Sequence, residues 1–278
     1  MKKLAAVALI MLGIGVLCAF FVFNKSDLVK FKGDPYSEEK TVDASTIRSI
    51  HAETDTFNVT FVRGTSKDIQ IKLDGNVNKK SLDKIIFTAE TKGDTLYIEG
   101  NTKNSFTIGI SIVNLKMTVE LPEKLWNTID IETDTGNIVL DQMEGSKLHI
   151  TADTGNLKVS NYSFAEIDFE TDTGNVTFTD GEGILKGETD TGNVRIETAE
   201  LRNDISLQSD TGNITVNVDK EPASAAVYIQ KDVGSSKVEW EGFSDSNDSK
   251  SIVDGKIGSG DIKIDIKSEV GNVKLGTR

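Results

Sequence analysis

The chain is poor in cysteine, histidine, proline and aromatic residues, and these shortages exclude several classes of protein. Among 278 residues there is one cysteine, Cys18, which rules out an intrachain disulfide and any zinc site built on several cysteines. Two histidines, His51 and His149, leave little for histidine-based catalysis. The chain has 31 basic against 44 acidic residues, and this balance argues against nucleic acid as a partner, because phosphate binding needs clustered Lys and Arg.

The first 23 residues contain a long hydrophobic run. Two lysines precede an uncharged stretch at residues 4–23, which is about the length that crosses a bilayer as a helix. A cleaved signal peptide has a shorter apolar core and a small-residue exit site, whereas this run ends in bulky residues. Leu17 directly before Cys18 fits lipid attachment badly. We therefore predict a transmembrane anchor (or an uncleaved signal) at residues 1–23, with the body outside the cytoplasm.

The body of the chain repeats the tetrapeptide Asp-Thr-Gly-Asn. Five copies occur, separated by 19, 19, 18 and 20 residues, and this near-constant spacing indicates a repeat architecture. The copies begin at Asp134, Asp153, Asp172, Asp190 and Asp210. Weaker copies lie at residues 55–58, 232–235 and 269–272.

Apolar and polar residues alternate on both sides of each copy. Around the second copy, Leu148 and Ile150 precede the turn and Leu157 and Val159 follow it. Such alternation predicts a strand, a tight turn, a second strand and then a variable loop. One unit of about 19 residues cannot bury its own apolar face, so the units must stack. We predict an all-β fold, a β-solenoid with one preceding transmembrane helix; the rival is an antiparallel meander or sandwich of hairpins.

The chain divides into four predicted segments. Residues 1–23 are the anchor, 24–45 a linker, 46–125 an irregular β region that starts and caps the solenoid, and 126–278 the regular coils. Because an uncovered last coil presents unpaired backbone groups, we expect either that the loop around residues 241–258 folds over that end, or that the end is a docking surface.

The repeated turn has a structural interpretation. Its Asp can accept hydrogen bonds from backbone N–H groups two residues on, its Gly supplies a positive φ, and its Asn can stack from coil to coil as an amide ladder. The predicted structural turn residues are Gly136, Asn137, Gly155, Asn156, Gly174, Asn175, Gly192, Asn193, Gly212 and Asn213.

The five aspartates of the turns also allow functional interpretations. Asp-Thr-Gly is the catalytic turn of aspartic proteases, but those enzymes need two facing carboxylates, whereas these copies follow one edge. The column Asp134, Asp153, Asp172, Asp190 and Asp210 could bind calcium, since an oxygen-ligated cation relieves repulsion between like charges. It could also be a recognition stripe for a ligand. We predict no catalytic residue and no cofactor, with calcium as the candidate metal.

Two further features have structural interpretations. His149 falls at an outward strand position, where a surface histidine is expected. Trp126 and Trp240 flank the regular coils as packing or capping residues, and Gly187 leaves space in its column that Phe169 can fill.

These features resemble the family known as "putative adhesins" of unknown function. The resemblance rests on residues 50–62, on the strand Val119-Glu120-Leu121-Pro122 and on the train of Asp-Thr-Gly-Asn turns, and it covers roughly residues 45–278. It is greatest to the membrane-anchored LiaG-type members of Gram-positive bacteria. The resemblance implies a β-solenoid and an association with cell-envelope stress operons, and supplies no catalytic residues. Phe57 stands where the motif has Gly, which allows a different backbone at that turn.

The leading hypothesis is a single-pass membrane protein that displays an extracytoplasmic, non-enzymatic β-solenoid. It would bind or scaffold an envelope protein or glycan at the membrane–wall boundary during stress, with the membrane itself as a partner through the anchor. The first alternative is an adhesin that binds a surface protein or glycan. The second is a carbohydrate-active β-helix enzyme, for which the sequence shows no cluster of acid, base and cation.

Overall fold

The computed structural model describes residues 33–103, 113–247 and 249–278. The predicted anchor, and residues 24–32 of the predicted linker, lie outside the described residues. Within the described ranges, no helix has the length and apolar character that a membrane span requires.

The described residues form strands almost throughout, with one 3-10 helical turn at Leu82–Lys84. Numbered along the chain, the strands are β1 Asp34–Val42, β2 Ser49–Thr54, β3 Asn58–Arg63, β4 Ile69–Val77, β5 Ile85–Lys92, β6 Thr95–Thr102, β7 Val113–Leu121, β8 Trp126–Thr135, β9 Ile138–Asp141, β10 Glu144–Thr154, β11 Leu157–Ser160, β12 Ser163–Thr173, β13 Val176–Thr179, β14 Glu182–Thr191, β15 Val194–Glu200, β16 Ile205–Thr211, β17 Ile214–Lys220, β18 Ala225–Val233, β19 Ser236–Val238, β20 Ser244–Asp245, β21 Ile252–Ile257, β22 Ile262–Val270 and β23 Val273–Thr277.

The strands form two sheets, and each coil contributes one strand to each sheet. The 11-stranded sheet has the order β1-β4-β7-β3-β9-β11-β13-β15-β17-β23-β19. The 12-stranded sheet has the order β20-β21-β18-β22-β16-β14-β12-β10-β8-β2-β6-β5. Strands of successive repeats pair in parallel, as β10 does with β8 and β12. The all-β prediction and the solenoid-like stacking of the repeats are therefore confirmed, and the rival antiparallel meander is wrong for the repeats.

The core lies between the two sheets and is built from columns of equivalent residues. Leu148 pairs with Ile129 on one side and Ile167 on the other, and all three are buried. Apolar side chains therefore face inward at alternate positions, as the period of two predicts. Phe169 pairs with Gly187, and a side chain on Gly187 would collide with the Phe169 ring, so the predicted filling of that space is confirmed.

The spatial order of the coils differs from their order along the chain at both ends. The β2–β3 coil lies between the later β6–β7 and β8–β9 coils, and the β22–β23 coil lies between β16–β17 and the earlier β18–β19. The coil of β22 and β23, which comes last along the sequence, therefore lies one position inside the stack. A copy of the turn motif shows where a residue lies within its coil, but it does not show where that coil lies in the stack.

Antiparallel strands cover the ends of the stack. At one end β4 pairs with β7, β1 with β4 and β5 with β6. Part of the predicted linker, residues 34–42, is thus strand β1. At the other end β21 pairs with β18 and β20 with β21, so the segment around residues 241–258 covers the edge of the 12-stranded sheet. Trp126 and Trp240 are both buried, and Trp240 Nε1 donates a hydrogen bond to the Gly276 carbonyl at 3.1 Å.

Candidate functional site

The Asp-Thr-Gly-Asn turn joins the two sheets, and its glycine is required by close stacking. Gly174 has a φ of +157°, and a Cβ there would collide with the Gly155 carbonyl of the preceding coil. In each of the other four copies, a Cβ on the glycine would likewise collide with a backbone carbonyl of the neighbouring coil. The positive φ predicted for the glycine is present in four of the five copies, from Gly155 onward, but the missing Cβ matters at every copy because the backbones approach closely.

The asparagines of the turns form the predicted amide ladder. Asn175 donates from its backbone N and from Nδ2 to Asn156 Oδ1, at 3.1 and 3.2 Å. Asn193 donates to Asn175 in the same way, at 3.1 and 3.0 Å. The ladder extends beyond the five copies, to Asn58 at one end and Asn272 at the other. Each amide oxygen therefore accepts two hydrogen bonds, which fixes the turn that carries the neighbouring aspartate.

The prediction that the aspartate accepts a hydrogen bond from the backbone of its own turn is wrong. In the described residues, the N–H two positions after Asp153 belongs to Gly155, and it donates to the Thr173 carbonyl of the next coil at 2.9 Å. The same exchange occurs at Gly174, which donates to Thr191. Hydrogen bonds between coils satisfy the donors that a local Asp turn would use, so the aspartate side chains point to solvent.

The five aspartates therefore follow one rim of the outer face of the 12-stranded sheet. Asp153 and Asp172 lie between the paired residues Ala152–Thr171 and Thr154–Thr173, and the same register holds along the stack. We call this set the aspartate column; its members are Asp134, Asp153, Asp172, Asp190 and Asp210. Four are exposed and Asp210 is half-buried, and within the described ranges none forms an ion pair. Calcium binding by the column stays a prediction.

Two further columns lie beside it on the same outer face. The glutamate column consists of Glu99, Glu53, Glu132, Thr151, Glu170, Glu188 and Gln208 in order across the sheet. The histidine column consists of Tyr97, His51, Asp130, His149, Asp168 and Lys186. The aspartate and glutamate columns together make this edge of the sheet strongly acidic, because β8, β12 and β14 each present two carboxylates and the other strands of the columns one each.

Both histidines of the chain lie in the histidine column, next to aspartates. His51 Nδ1 is 2.8 Å from Asp130 Oδ2, and the His51 ring also packs against Tyr97 at 5.4 Å between centroids. His149 Nδ1 lies 3.7 Å from Asp168 Oδ2, beyond hydrogen-bond distance. His149 is half-buried at an outward position, in keeping with the predicted surface histidine.

The importance of His51 was missed from the sequence. It pairs with Asp130, although 79 residues separate them, because β2 lies directly beside β8. One signal was present: His51 precedes the weak copy at Asp55 by the same four positions by which Asp130 precedes Asp134. Aligning the weak copy with the regular ones would have placed the two side chains in one column.

A cavity of about 1280 Å³ opens at the β3–β4 loop, and two of its cations, Arg63 and Lys124, have structural partners. Arg63 contacts Glu123 at 3.0 Å and Glu144 at 2.7 Å. Lys124 Nζ donates to the carbonyls of Ala44 and Ile47 at 2.6 and 2.5 Å, and lies 4.2 Å from the centre of the Trp126 ring. Burial, with a smaller contribution from Arg48, lowers the pKa of Lys124. These contacts hold the corner of the fold together.

Comparison with known families gives one assignment. The model of a family described as Toastrack DUF4097 matches residues 47–141 and, a second time, residues 125–276. The two matches together span most of the chain, including all five regular turns. The chain matches none of the curated proteins.

Several solved structures are similar over most of their length. A "putative cell adhesion protein" from Clostridium sporogenes ATCC 15579 is 15% identical, with 88% of this chain and 100% of that chain covered and a TM-score of 0.41. A "putative adhesin" from Bacteroides fragilis NCTC 9343 is 13% identical, with 86% and 97% covered and a TM-score of 0.46. A "putative lipid binding protein" from Parabacteroides distasonis ATCC 8503 is 12% identical, with 87% and 97% covered and a TM-score of 0.43. Similarity this low says nothing about the ligand of this chain.

Proposed function

This chain belongs to the Toastrack DUF4097 family, and on that premise we propose that it is a non-enzymatic binding or scaffold protein of the cell envelope. In this proposal residues 1–23 anchor the chain in the membrane, and the solenoid lies outside the cytoplasm. Its partner is an envelope protein or glycan, and its role belongs to the response to envelope stress. The resemblance to LiaG-type proteins supports the anchor and the stress role.

The observation that carries the proposal is the outer face of the 12-stranded sheet. Its aspartate column presents carboxylates at intervals of one strand spacing, about 4.8 Å, and the glutamate column beside it adds further carboxylates. The turns that carry the aspartates are fixed by the amide ladder, for example by the two hydrogen bonds from Asn175 to Asn156. A rigid acidic face of this kind attracts a partner with positive charge and costs little ordering on binding.

The large cavity supports a binding role better than a catalytic one. Its side chains Arg63 and Lys124 contact carboxylates and backbone carbonyls, so they stabilise the corner of the fold. The acidic columns form an open surface, which suits contact with an extended partner rather than enclosure of a small substrate.

The proposal is tested first in cells. A deletion strain should be more sensitive to antibiotics that act on the envelope, and expression of the full-length protein should restore resistance. Loss of surface adhesion with unchanged antibiotic sensitivity would overturn the stress role and favour the adhesin alternative. Membrane fractionation tests the anchor, since the full chain should pellet with membranes and a chain lacking residues 1–23 should not.

The binding face is tested with matched charge variants. The triple variant Asp153→Asn, Asp172→Asn and Asp190→Asn removes three charges from the aspartate column. The control variant Asp83→Asn, Glu241→Gln and Asp254→Asn removes three charges from exposed positions elsewhere. Only the first should fail to complement the deletion while reaching the same level in the membrane. Equal complementation by both variants would show that the column is not the binding face.

A further inference from the structure

His51, Asp130 and Glu132 form a compact group on the outer face of the 12-stranded sheet. One nitrogen or oxygen atom from each residue lies within 4.8 Å of the atoms from the other two. Three separate features produce this group. The β2–β8 register places His51 beside Asp130, the strand period places Glu132 on the same face, and the Tyr97 ring packs against the His51 ring.

The polar atoms of the group are incompletely paired within the described residues. His51 Nδ1 and Asp130 Oδ2 are hydrogen-bonded at 2.8 Å. Asp130 Oδ1 is buried and has no hydrogen-bond partner in the described part of the chain. Side-chain exposures of 24% for His51 and 27% for Asp130 mean that both groups are largely removed from water. An unpaired carboxylate oxygen in such a place costs stability unless a cation or donor approaches it.

The donor set determines which cation would fit. One imidazole nitrogen with two carboxylates suits Zn²⁺ and related first-row divalent ions, whereas Ca²⁺ takes oxygen ligands. Glu53 pairs with Glu132 across the strands, so the surroundings are negative as well. This environment attracts a divalent cation before any ligand bond has formed.

We propose that His51, Asp130 and Glu132 bind one divalent transition-metal ion of the Zn²⁺ class. The ion replaces the hydrogen bond between His51 Nδ1 and Asp130 Oδ2, and Glu132 supplies the third ligand. The site is separate from the aspartate column, whose all-oxygen donors would favour calcium.

The chain contains a natural control for this proposal. His149, Asp168 and Glu170 occupy the same relative positions two strands further along the sheet. There the histidine and aspartate atoms are 3.7 Å apart, and the described residues offer no second group of three within ligand distance. His149→Ala should therefore leave metal binding intact, although it removes the same kind of side chain from the same face.

The test is calorimetric titration of the full-length protein, in detergent and without a histidine tag, with ZnCl₂ after chelator treatment. One equivalent of Zn²⁺ should bind, and His51→Ala and Glu132→Gln should each weaken binding by at least about tenfold. His149→Ala should bind as the wild type does. The proposal is overturned if no saturable equivalent binds, if His51→Ala binds normally, or if His149→Ala loses as much affinity as His51→Ala.

A second measurement guards against loss of folding in the variants. Co²⁺ in place of Zn²⁺ should give visible d–d absorption bands in the wild type and in His149→Ala. The bands should be lost in Glu132→Gln, whose substituted side chain is exposed and similar in size, while its far-ultraviolet circular dichroism stays unchanged. Bands of equal intensity in folded Glu132→Gln would overturn the assignment of Glu132 as a ligand.

Discussion

The Phe169 ring occupies the space in which a side chain at Gly187 of the next coil would lie. The two residues pair across β12 and β14, and Phe169 is almost fully buried. In this column a large side chain from one coil fills the space left by a glycine in the next coil, so the coils are not identical layers. The pair offers a direct measurement of how closely adjacent coils are packed.

Gly187→Ala should destabilise the protein by about 1–3 kcal/mol, the usual cost of overpacking a core. Phe169→Leu should also destabilise the protein, by leaving a cavity. The double variant should be more stable than the sum of the two effects allows, by at least about 0.5 kcal/mol. Urea unfolding of all four proteins measures this coupling, and simple additivity would show that the ring and the added methyl group do not meet.

Gly174→Ala should destabilise the protein more than Gly93→Ala does. Both glycines have positive φ, at +157° and +67°, so both substitutions carry a backbone cost of about 1–3 kcal/mol. Only at Gly174 does the new Cβ also meet a backbone carbonyl, that of Gly155, whereas nothing lies within 4 Å at Gly93. Thermal melting of the two variants separates these costs, and equal shifts would refute the role assigned to stacking.

Asn175→Asp should destabilise the protein, whereas Asn58→Asp should be tolerated. Asn175 both donates to Asn156 and accepts from Asn193. Aspartate at this position has no side-chain N–H group to donate, and one of its carboxylate oxygens would face Asn156 Oδ1. Asn58, at the end of the ladder, accepts two hydrogen bonds from Asn137, and a carboxylate accepts these equally well. We expect a loss of about 1 kcal/mol at Asn175 by urea unfolding. A larger loss at Asn58 would contradict the donor direction given for the ladder.

Tyr162 should make the stability fall at alkaline pH. The side chain is 7% exposed and packs edge-on against Phe178, and burial, followed by the charge of Asp180, raises its pKa. The unfolded chain loses this proton near pH 10, whereas the folded chain retains it, so the stabilisation is complete below about pH 10 and is lost as the pH rises further.

The control for this pH dependence is Tyr162→Phe, which keeps the ring and removes the proton. Unfolding midpoints of the two proteins should converge, or the variant should become the more stable, between about pH 8 and about pH 11. Other groups that titrate in this range affect both proteins equally. A constant difference between the two midpoints would mean that Tyr162 ionises as freely in the folded chain as in the unfolded one.

Features that depend on local periodicity were predictable from the sequence. The inward columns, the strand–turn–strand unit and the amide ladder all follow from residues spaced about 19 apart, because stacking places each on its equivalent. The insertion of β2–β3 and of β22–β23 was not predictable. Asp55 and Glu269 show their place within a coil, but which coil they lie beside depends on contacts with residues distant in sequence.

In the candidate site, too, features set by local periodicity were predictable and features set by contacts distant in sequence were not. The aspartate column was visible in the sequence, since its members share one short motif. The meeting of His51 with Asp130 was not, because it needs two strands from different parts of the chain to become neighbours. The prediction that Asp153 accepts a hydrogen bond from its own turn was wrong for a related reason. The Gly155 N–H donates instead to the Thr173 carbonyl of the following coil.

The inserted β22–β23 coil has a consequence for biosynthesis. Until those residues have been synthesised, β16 and β17 have no partner on the side where β22 and β23 later pair, and β18 and β19 cannot take their final places. During synthesis the edges of β16 and β17 are therefore unpaired, and unpaired sheet edges favour aggregation with other chains. A premature stop codon shortly before β22 would not shorten the solenoid from one end but would remove an interior layer. Completion of this part of the fold thus waits for the synthesis of β22 and β23, so the quality control of unfinished chains should affect how much of this protein accumulates.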